Sequence, residues 1–360
     1  MPTLYVSEPN STLRLSGESL NVTTVDDEQT NASPSTSASP TSANSHHSHH
    51  SRVIASVEPH LLEMVAIIGH NHITSDALLF CLEKGICVAW LTRGGKLLGR
   101  CIPDTPRNAD LRISQYQLAT NEADRLHRAI SVVTIKLANC AEVLKDIRSN
   151  EDDGAILSQS IADLEQSSAT AATATSADQL LGVEGSAARV YFAAYGSAFR
   201  GEIQFPGRNR RPPKDPANAL LSFCYTIVSN QLASLIEARG LDVSIGFFHE
   251  MRSGRPSLAI DLLEELRAPI VDRFVLRACN LRILRPEMFE GDSDSQNGVR
   301  LTTEGRKIFF YEWEKHLRKP IRVKNAEEKK SPLQIIRDQV EILAASFRGG
   351  KEYQPFLYGG

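Results

Sequence analysis

The sequence predicts an α+β chain, with an N-terminal β-rich domain over residues 1–104 and a larger all-α domain over residues 105–360. Three observations carry that prediction. Short β-prone runs punctuated by Gly, Ser, Asn and Pro fill the first hundred residues. From about Arg112 the apolar residues recur at three- and four-residue intervals, the period of an amphipathic helix. The 360 residues are also enough for two cores but long for one average domain.

In the β domain, strands are expected at Leu4 to Val6, Leu13 to Leu15 and Leu20 to Thr24, with hairpins as the natural connection, and after a break at Val53 to Val57 and Met64 to Ile68. A short helix over Asp76 to Lys84 follows, capped by Ser75 and stopped by Gly85. Ile86 to Leu91 and Leu97 to Cys101 then flank Arg93-Gly94-Gly95-Lys96, a two-glycine hairpin signal. Between Glu28 and Arg52 lies a tract of Ser, Thr, Asn, Pro and paired histidines, too poor in apolar groups to order itself, and it reads as a disordered insertion.

In the second domain, Ala119, Ala123, Leu126, Ile130, Val133 and Leu137 mark one long helix. The Ser, Thr and Ala-rich stretch SSATAATATS interrupts the pattern before Ser176-Ala-Asp-Gln179, a capping-box signature for the next helix. Asp215 and Pro216 open another that ends at Gly240, and further helices follow Ser257, Pro269, Thr303 and Pro332.

Apolar residues make up 41% of the chain and charged residues 23%, the composition of a globular protein. No unbroken apolar run approaches the ~20 residues of a membrane helix, and the start, MPTLYVSEPNS, lacks a basic, apolar leader, so a cytoplasmic location without membrane association is expected. Six cysteines without a CxxC pair argue against zinc and disulfides and read as small buried apolar groups. The net charge of −3 gives no global sign of nucleic-acid binding. Locally the picture differs: five arginines and one lysine face two acids between Arg189 and Asp215, and six arginines interleave with four acids between Arg252 and Arg282.

Three features suggest chemistry. On a helical wheel at ~100° per residue, Glu184 falls inside the apolar arc of Leu180, Leu181, Ala188, Tyr191 and Tyr195. An ionised carboxylate there is costly unless a metal or a paired arginine compensates. Gly182 and Gly185 flank it, suggesting close approach by a ligand, DNA or a neighbouring helix. The second feature is His249 with Asp261 and Glu264. The two acids, three apart, project from one side of a helix whose other face carries Leu258, Leu262, Leu263 and Leu266. Oxygen ligands with one imidazole suit Mg²⁺ or Mn²⁺, although spacing alone fits a solvated helix face equally well. Two details favour a site: arginines Arg252, Arg255, Arg267 and Arg273 surround the acids, and a turn over Ser253 to Pro256 could return His249 over the helix. The third feature is the loop from Phe205 to Asn218, where prolines stiffen a display of Arg208, Arg210, Arg211 and Lys214 suited to phosphates or simply to solvent.

These residues resemble the family of CRISPR-associated protein one, the metal-dependent endonuclease and integrase of spacer acquisition. The resemblance rests on GVEGSAARVYF around Glu184, GRNRRPPKDPANALLSF up to Phe223, GFFHEMRSGRPSLAIDLLEELR from Gly246 and the closing FRGGKEYQPF, with TLYVSEP, LLFCLEKGICVAWLTRGGKLLGR and ISQYQLA nearer the start. The pattern is most similar to members found with type I-C systems. The resemblance implies that Glu184, His249 and Glu264 are the metal ligands and Asp261 a further active-site acid, within a catalytic all-α domain. It also implies a homodimer that binds DNA, as prespacer duplex and CRISPR repeat, and a small ferredoxin-like partner, CRISPR-associated protein two. Arg189, Arg208, Arg210, Arg211, Lys214, Arg252, Arg255 and Arg267 are the expected DNA contacts, reading phosphates rather than bases. Two alternatives stay open: a structure-selective nuclease for branched DNA, and a DNA-binding scaffold without catalysis.

Overall fold

In the computed structural model, the structure describes residues 3–25, 51–104, 108–148, 155–209, 212–249, 254–291, 298–324, 326–349 and 352–360. The chain forms two compact units, one over residues 1–93 and 98–103, the other over 94–97 and 104–360. A strand-rich N-terminal part precedes a mostly helical remainder, the α+β class expected.

The first unit contains β1 (Thr3–Val6), β2 (Ser11–Ser16), β3 (Ser19–Val25), β4 (Ser51–Val57), β5 (Met64–Ile68), β6 (His72–Ile73), α1 (Ser75–Glu83), β7 (Cys87–Leu91) and β8 (Leu97–Cys101). Two four-stranded sheets result, ordered β1-β5-β7-β8 and β4-β3-β2-β6. β2 and β3 form an antiparallel hairpin, as expected, and β4 pairs antiparallel with β3. The β1–β5 and β5–β7 pairs, however, are parallel, and α1 makes the crossover between β5 and β7. The reason is legible in β5, whose five residues are all buried: a strand covered on both faces shows no alternation, the habit of parallel rather than hairpin-paired strands. Val6, Leu13, Leu20, Val65, Ile67, Ala77, Cys81 and Val88 meet in one core. Thr74, not Ser75, caps α1 by accepting from Ala77 N (3.4 Å). Gly85, at φ +77°, ends it as expected. Residues 26–50, which hold most of the Ser/His insertion, lie outside the described residues, and β4 begins at Ser51, so Ser51 and Arg52 belong to the sheet.

In the second unit the single long helix expected after Arg112 is two, α2 (Ala109–Thr120) and α3 (Glu122–Arg148). Asn121 leaves the helical conformation (φ −91°, ψ 112°), and its side chain caps α3 through Ala123 N and Asp124 N. The break shifts the apolar stripe: Ala123 is exposed, and Ala129, Val132, Val133, Leu137 and Cys140 are buried. The first six residues of the Ser, Thr and Ala-rich stretch continue α4 (Ala155–Ala172), and its last four form the expected interruption before the next helix. Alanine is the best helix former, and Ser167 and Thr170 turn their hydroxyls back onto the carbonyls of Asp163 and Gln166, four residues earlier.

Ser176 caps α5 (Ala177–Ser197), but the Gln179 side chain accepts from Thr175 N, so the reciprocal capping box does not close. Asp215 caps α6 (Pro216–Ala238), a helix long and apolar enough to cross a membrane by composition but mostly buried here as the central core helix. α7 (Ser257–Leu266) runs through a π-helical turn over Arg267–Asp272, which contains Pro269, into α8 (Arg273–Asn280), rather than a new helix beginning after Pro269. α9 (Thr303–Arg318) and α10 (Pro332–Phe347) complete the unit. Among the cysteines, Cys81, Cys87, Cys140, Cys224 and Cys279 are free and buried, whereas Cys101 is partly exposed.

His316 of α9 lies inside this core against Phe274 and Trp313, its Nε2 hydrogen-bonded to Ile270 O (2.8 Å). Burial holds its pKa down at about 4, so the folded imidazole stays neutral where the unfolded one takes up a proton. Its stability contribution is therefore intact above the unfolded value of 6.5 and is lost as the pH falls toward 4. His316→Gln keeps a donor for Ile270 and removes the titration. Relative to this variant, the wild type should lose about 3 kcal/mol of stability between pH 7 and pH 4, read as the difference between two urea-denaturation series.

Candidate active site

The site belongs to the helical unit. On α5 the buried face is Leu180, Ala187, Tyr191, Ala194 and Tyr195, while Leu181, expected in the apolar arc, is 49% exposed. Glu184 therefore stands at the edge of the stripe, its side chain 21% exposed. Its side-chain partner is a lysine and not the arginine anticipated: the Lys136 ammonium, from α3, pairs with Glu184 Oε1. A Cβ added at Gly182 or Gly185 would meet nothing within 4 Å, so no neighbouring helix packs there and the α5 surface beside Glu184 is open.

α7 disposes of the solvated-face alternative. Asp261, Glu264 and Glu265 are all buried, together with Leu258, Leu262, Leu263 and Leu266. Such acids need partners, and each has its own. Asp261 accepts the backbone N–H groups of Phe247 (2.7 Å) and Phe248 (3.0 Å) through Oδ2 and that of His249 (3.0 Å) through Oδ1. The His249 Nδ1 also lies 2.7 Å from Oδ1, and because a carboxylate only accepts, Nδ1 carries the proton. Nε2, at the other side of the ring, lies 3.8 Å from Glu264 Oε1. Gly246 makes this clasp possible, since a Cβ there would come within 2.5 Å of Asp261 Oδ2.

Glu264 faces three cationic or basic groups: Arg267 Nη2 at 2.9 Å, Lys136 Nζ at 2.6 Å and His249 Nε2. Burial opposes its ionisation, but Arg267 first and Lys136 next hold its pKa down at about 2. Burial likewise disfavours the Lys136 ammonium, yet Glu264 and Glu184 keep it charged, with a raised pKa. One ammonium thus sits between two carboxylates, with a basic imidazole nitrogen turned toward one of them. Among the described residues, no three His, Cys, Asp or Glu side chains are grouped closely enough to hold a metal ion as they stand. The Lys136 ammonium lies between the two carboxylates. The donor set itself, two carboxylates and one imidazole Nε2, is chemically that of a divalent-cation site.

Lys136 was missed in the sequence, although a signal existed. It falls in register with Val132 and Cys140 on the buried stripe of α3, where a lysine needs a partner as much as Glu184 does. Asp272 and the tyrosines around it were also missed. Tyr191 and Tyr225 donate to its carboxylate (2.8 and 2.5 Å), Tyr195 donates to its carbonyl (2.9 Å), and burial raises its pKa to about 6. The closing FRGGKEYQPF segment has a structural task. Glu265 accepts from Tyr353 Oη (2.7 Å) and Phe356 N (2.9 Å), while Asn139, one turn beyond Lys136, donates to the carbonyls of Glu265 and Phe356. The tail thereby ties α7 to α3 beside the site.

The expected DNA-contacting residues divide. Arg189 and Lys214 are exposed. Arg208 donates to Asn218 Oδ1 (2.9 Å) and lies over the Phe192 and Tyr225 rings. Arg255 and Arg267 are half-buried, and Arg267 is engaged with Glu264 and the Tyr225 ring. Arg210, Arg211 and Arg252 lie outside the described residues. A cavity of about 770 Å³ adjoins the carboxylates, with Lys136, Glu184, Arg208, Tyr225, Arg267 and Asp272 in its wall.

Comparison with known proteins places this arrangement. The family described as CRISPR associated protein Cas1 matches residues 4–315. The CRISPR-associated endonuclease Cas1 2 of Rhodospirillum rubrum is 34% identical over 313 residues, covering 83% of this chain and 89% of the relative. Among solved structures, a Cas1 protein from Thermotoga maritima aligns with a TM-score of 0.75 at 22% identity, over 100% of this chain and 99% of that one. A casposase bound to integration product aligns with a TM-score of 0.74 at 22% identity, over 98% and 92%. A Cas6-RT-Cas1–Cas2 complex aligns with a TM-score of 0.75 at 22% identity, over 99% of this chain and 36% of that one. By its sequence, and by the fold it shares with these structures, the chain belongs to the Cas1 family of CRISPR-associated proteins.

Proposed function

We propose that this chain is a divalent-metal-dependent DNA endonuclease and integrase that inserts short DNA duplexes into a CRISPR repeat array, and that it serves a type I-C system. The observation that carries the reading is the convergence of Glu184 and Glu264 on the Lys136 ammonium with His249 Nε2 turned toward Glu264. The endonuclease name of the 34%-identical relative supports it. Glu184, His249 and Glu264 would hold Mg²⁺ or Mn²⁺. Bound there, the ion would supply Lewis-acid polarisation of a scissile phosphate.

The chain's own residues do the rest. Asp261 fixes the His249 tautomer and its ring direction. Arg189, Arg208, Arg210, Arg211, Lys214, Arg252 and Arg255 hold DNA phosphates, and Arg267 places a guanidinium beside Glu264. In the joining step a DNA 3′-hydroxyl forms a new bond to phosphorus as the existing P–O bond breaks, with no covalent enzyme intermediate. The protein acts in the cytoplasm as a homodimer with the small partner Cas2, a pairing supported by the Cas6-RT-Cas1–Cas2 complex that shares its fold.

Side-by-side assays test the task. With Cas2 and Mn²⁺, transfer of a short duplex into a repeat-bearing plasmid should be at least about tenfold faster than cleavage of branched DNA, a margin of ~1.4 kcal/mol in transition-state binding. Faster cleavage of branched substrates, indifferent to Cas2, would make the protein a structure-selective nuclease instead. Binding without turnover in either metal would make it a scaffold.

A further inference from the structure

We propose that Lys136 is a resident counter-cation, a positioning residue that holds Glu184 and Glu264 in register before metal arrives and withdraws into the adjoining cavity when a divalent ion takes its place. The proposal rests on the metal reading above and adds to it how the empty site is kept intact. Nζ contacts Glu184 Oε1 and Glu264 Oε2 on separate helices, and the Lys136 side chain is only 11% exposed.

Charge balance points to displacement. Lys136 and Arg267 already balance Glu184 and Glu264, so a divalent ion added beside both cations would leave a net positive charge in a buried site even with the Asp261 carboxylate counted. Arg267 is held over the Tyr225 ring and pairs with one carboxylate only. Lys136 touches both, on a flexible four-carbon stem, and its side chain lines the 770 Å³ cavity into which the ammonium can swing. Without it, the carboxylates of α5 and α7 would repel each other across the metal-free site.

Full-length wild type, Lys136→Met and Lys136→Arg are titrated with Mn²⁺, the free ion being read by electron paramagnetic resonance, and melting temperatures are taken in EDTA and in excess Mn²⁺. Lys136→Met should melt about 5–10 °C below wild type in EDTA, as expected for a buried charge pair broken on one side. It should recover most of that loss in Mn²⁺ and bind the ion about tenfold more tightly than wild type, because no ammonium competes. Lys136→Arg, which keeps the charge, should keep the wild-type affinity. Equal or weaker Mn²⁺ binding by Lys136→Met overturns the counter-cation role and leaves the metal reading standing. Absence of any Mn²⁺ binding that Glu184→Gln weakens overturns both. Should Lys136→Met fail to fold, a crystal structure of the wild type with Mn²⁺ decides: Nζ in the cavity supports displacement, and Nζ still bridging both carboxylates beside the bound ion refutes it.

Discussion

Glu184→Ala is expected to lower strand transfer of a short duplex into a repeat-bearing plasmid by about 10³-fold or more, the scale seen when a group stabilising transition-state charge is removed from a water-poor site. The fold should hardly notice. Glu184 is partly exposed at the edge of α5 and pairs with an ammonium that keeps Glu264 as its partner, so Tm should fall by less than about 3 °C. That combination separates a functional acid from a structural one. EDTA should bring wild-type activity to the level of the variant, and Mn²⁺ should restore the wild type alone. Strand transfer by Glu184→Ala at a wild-type rate would remove Glu184 from the site.

Asp261→Asn should damage both stability and activity. Asp261 accepts three backbone N–H groups and the His249 imidazole with two oxygens, and it is wholly buried. An asparagine offers one oxygen, and its amide nitrogen would face donors, so at least one of these groups is left unpaired in the interior. The cost is about 3 kcal/mol, a fall in Tm of about 6 °C for a unit of this size. Below that temperature the surviving enzyme should still be about 10²-fold slower, because His249 no longer has its Nδ1 proton fixed and its Nε2 aimed at Glu264. Measuring both quantities on one preparation matters. A Tm loss with full activity would make Asp261 a loop anchor and nothing more.

The weight given to each site residue changes with the structure. Glu184 could be singled out from helical periodicity because a lone acid beside leucines and tyrosines violates a local pattern. Asp261 and Glu264 could not, because acids three apart on an amphipathic helix are ordinary when that helix has a wet face. α7 has no wet face at the acids: α3, α6 and the His249 loop surround it, and the same spacing becomes a buried charge cluster. Gly182 and Gly185 suggested a tightly approached surface, whereas it is Gly246, unremarked in its motif, whose missing Cβ lets the loop close onto Asp261.

What the sequence by itself determined is the α+β division, the caps of α5 and α6, the glycine stops of α1 and α6, the acid on α5 and, through its motifs, the family. These are local properties, written in periods of two and 3.6 residues and in short capping patterns. The tertiary structure alone decided that the sheets of the first unit are partly parallel, that Asn121 breaks a helix whose periodicity looked continuous, and that Lys136 stands between Glu184 and Glu264. Glu184 on α5 follows Lys136 on α3 by 48 positions, and Glu264 on α7 lies farther still along the chain. No periodicity reaches across such separations. Only the packing of the three helices brings the charges together, and only burial makes each of them need the others.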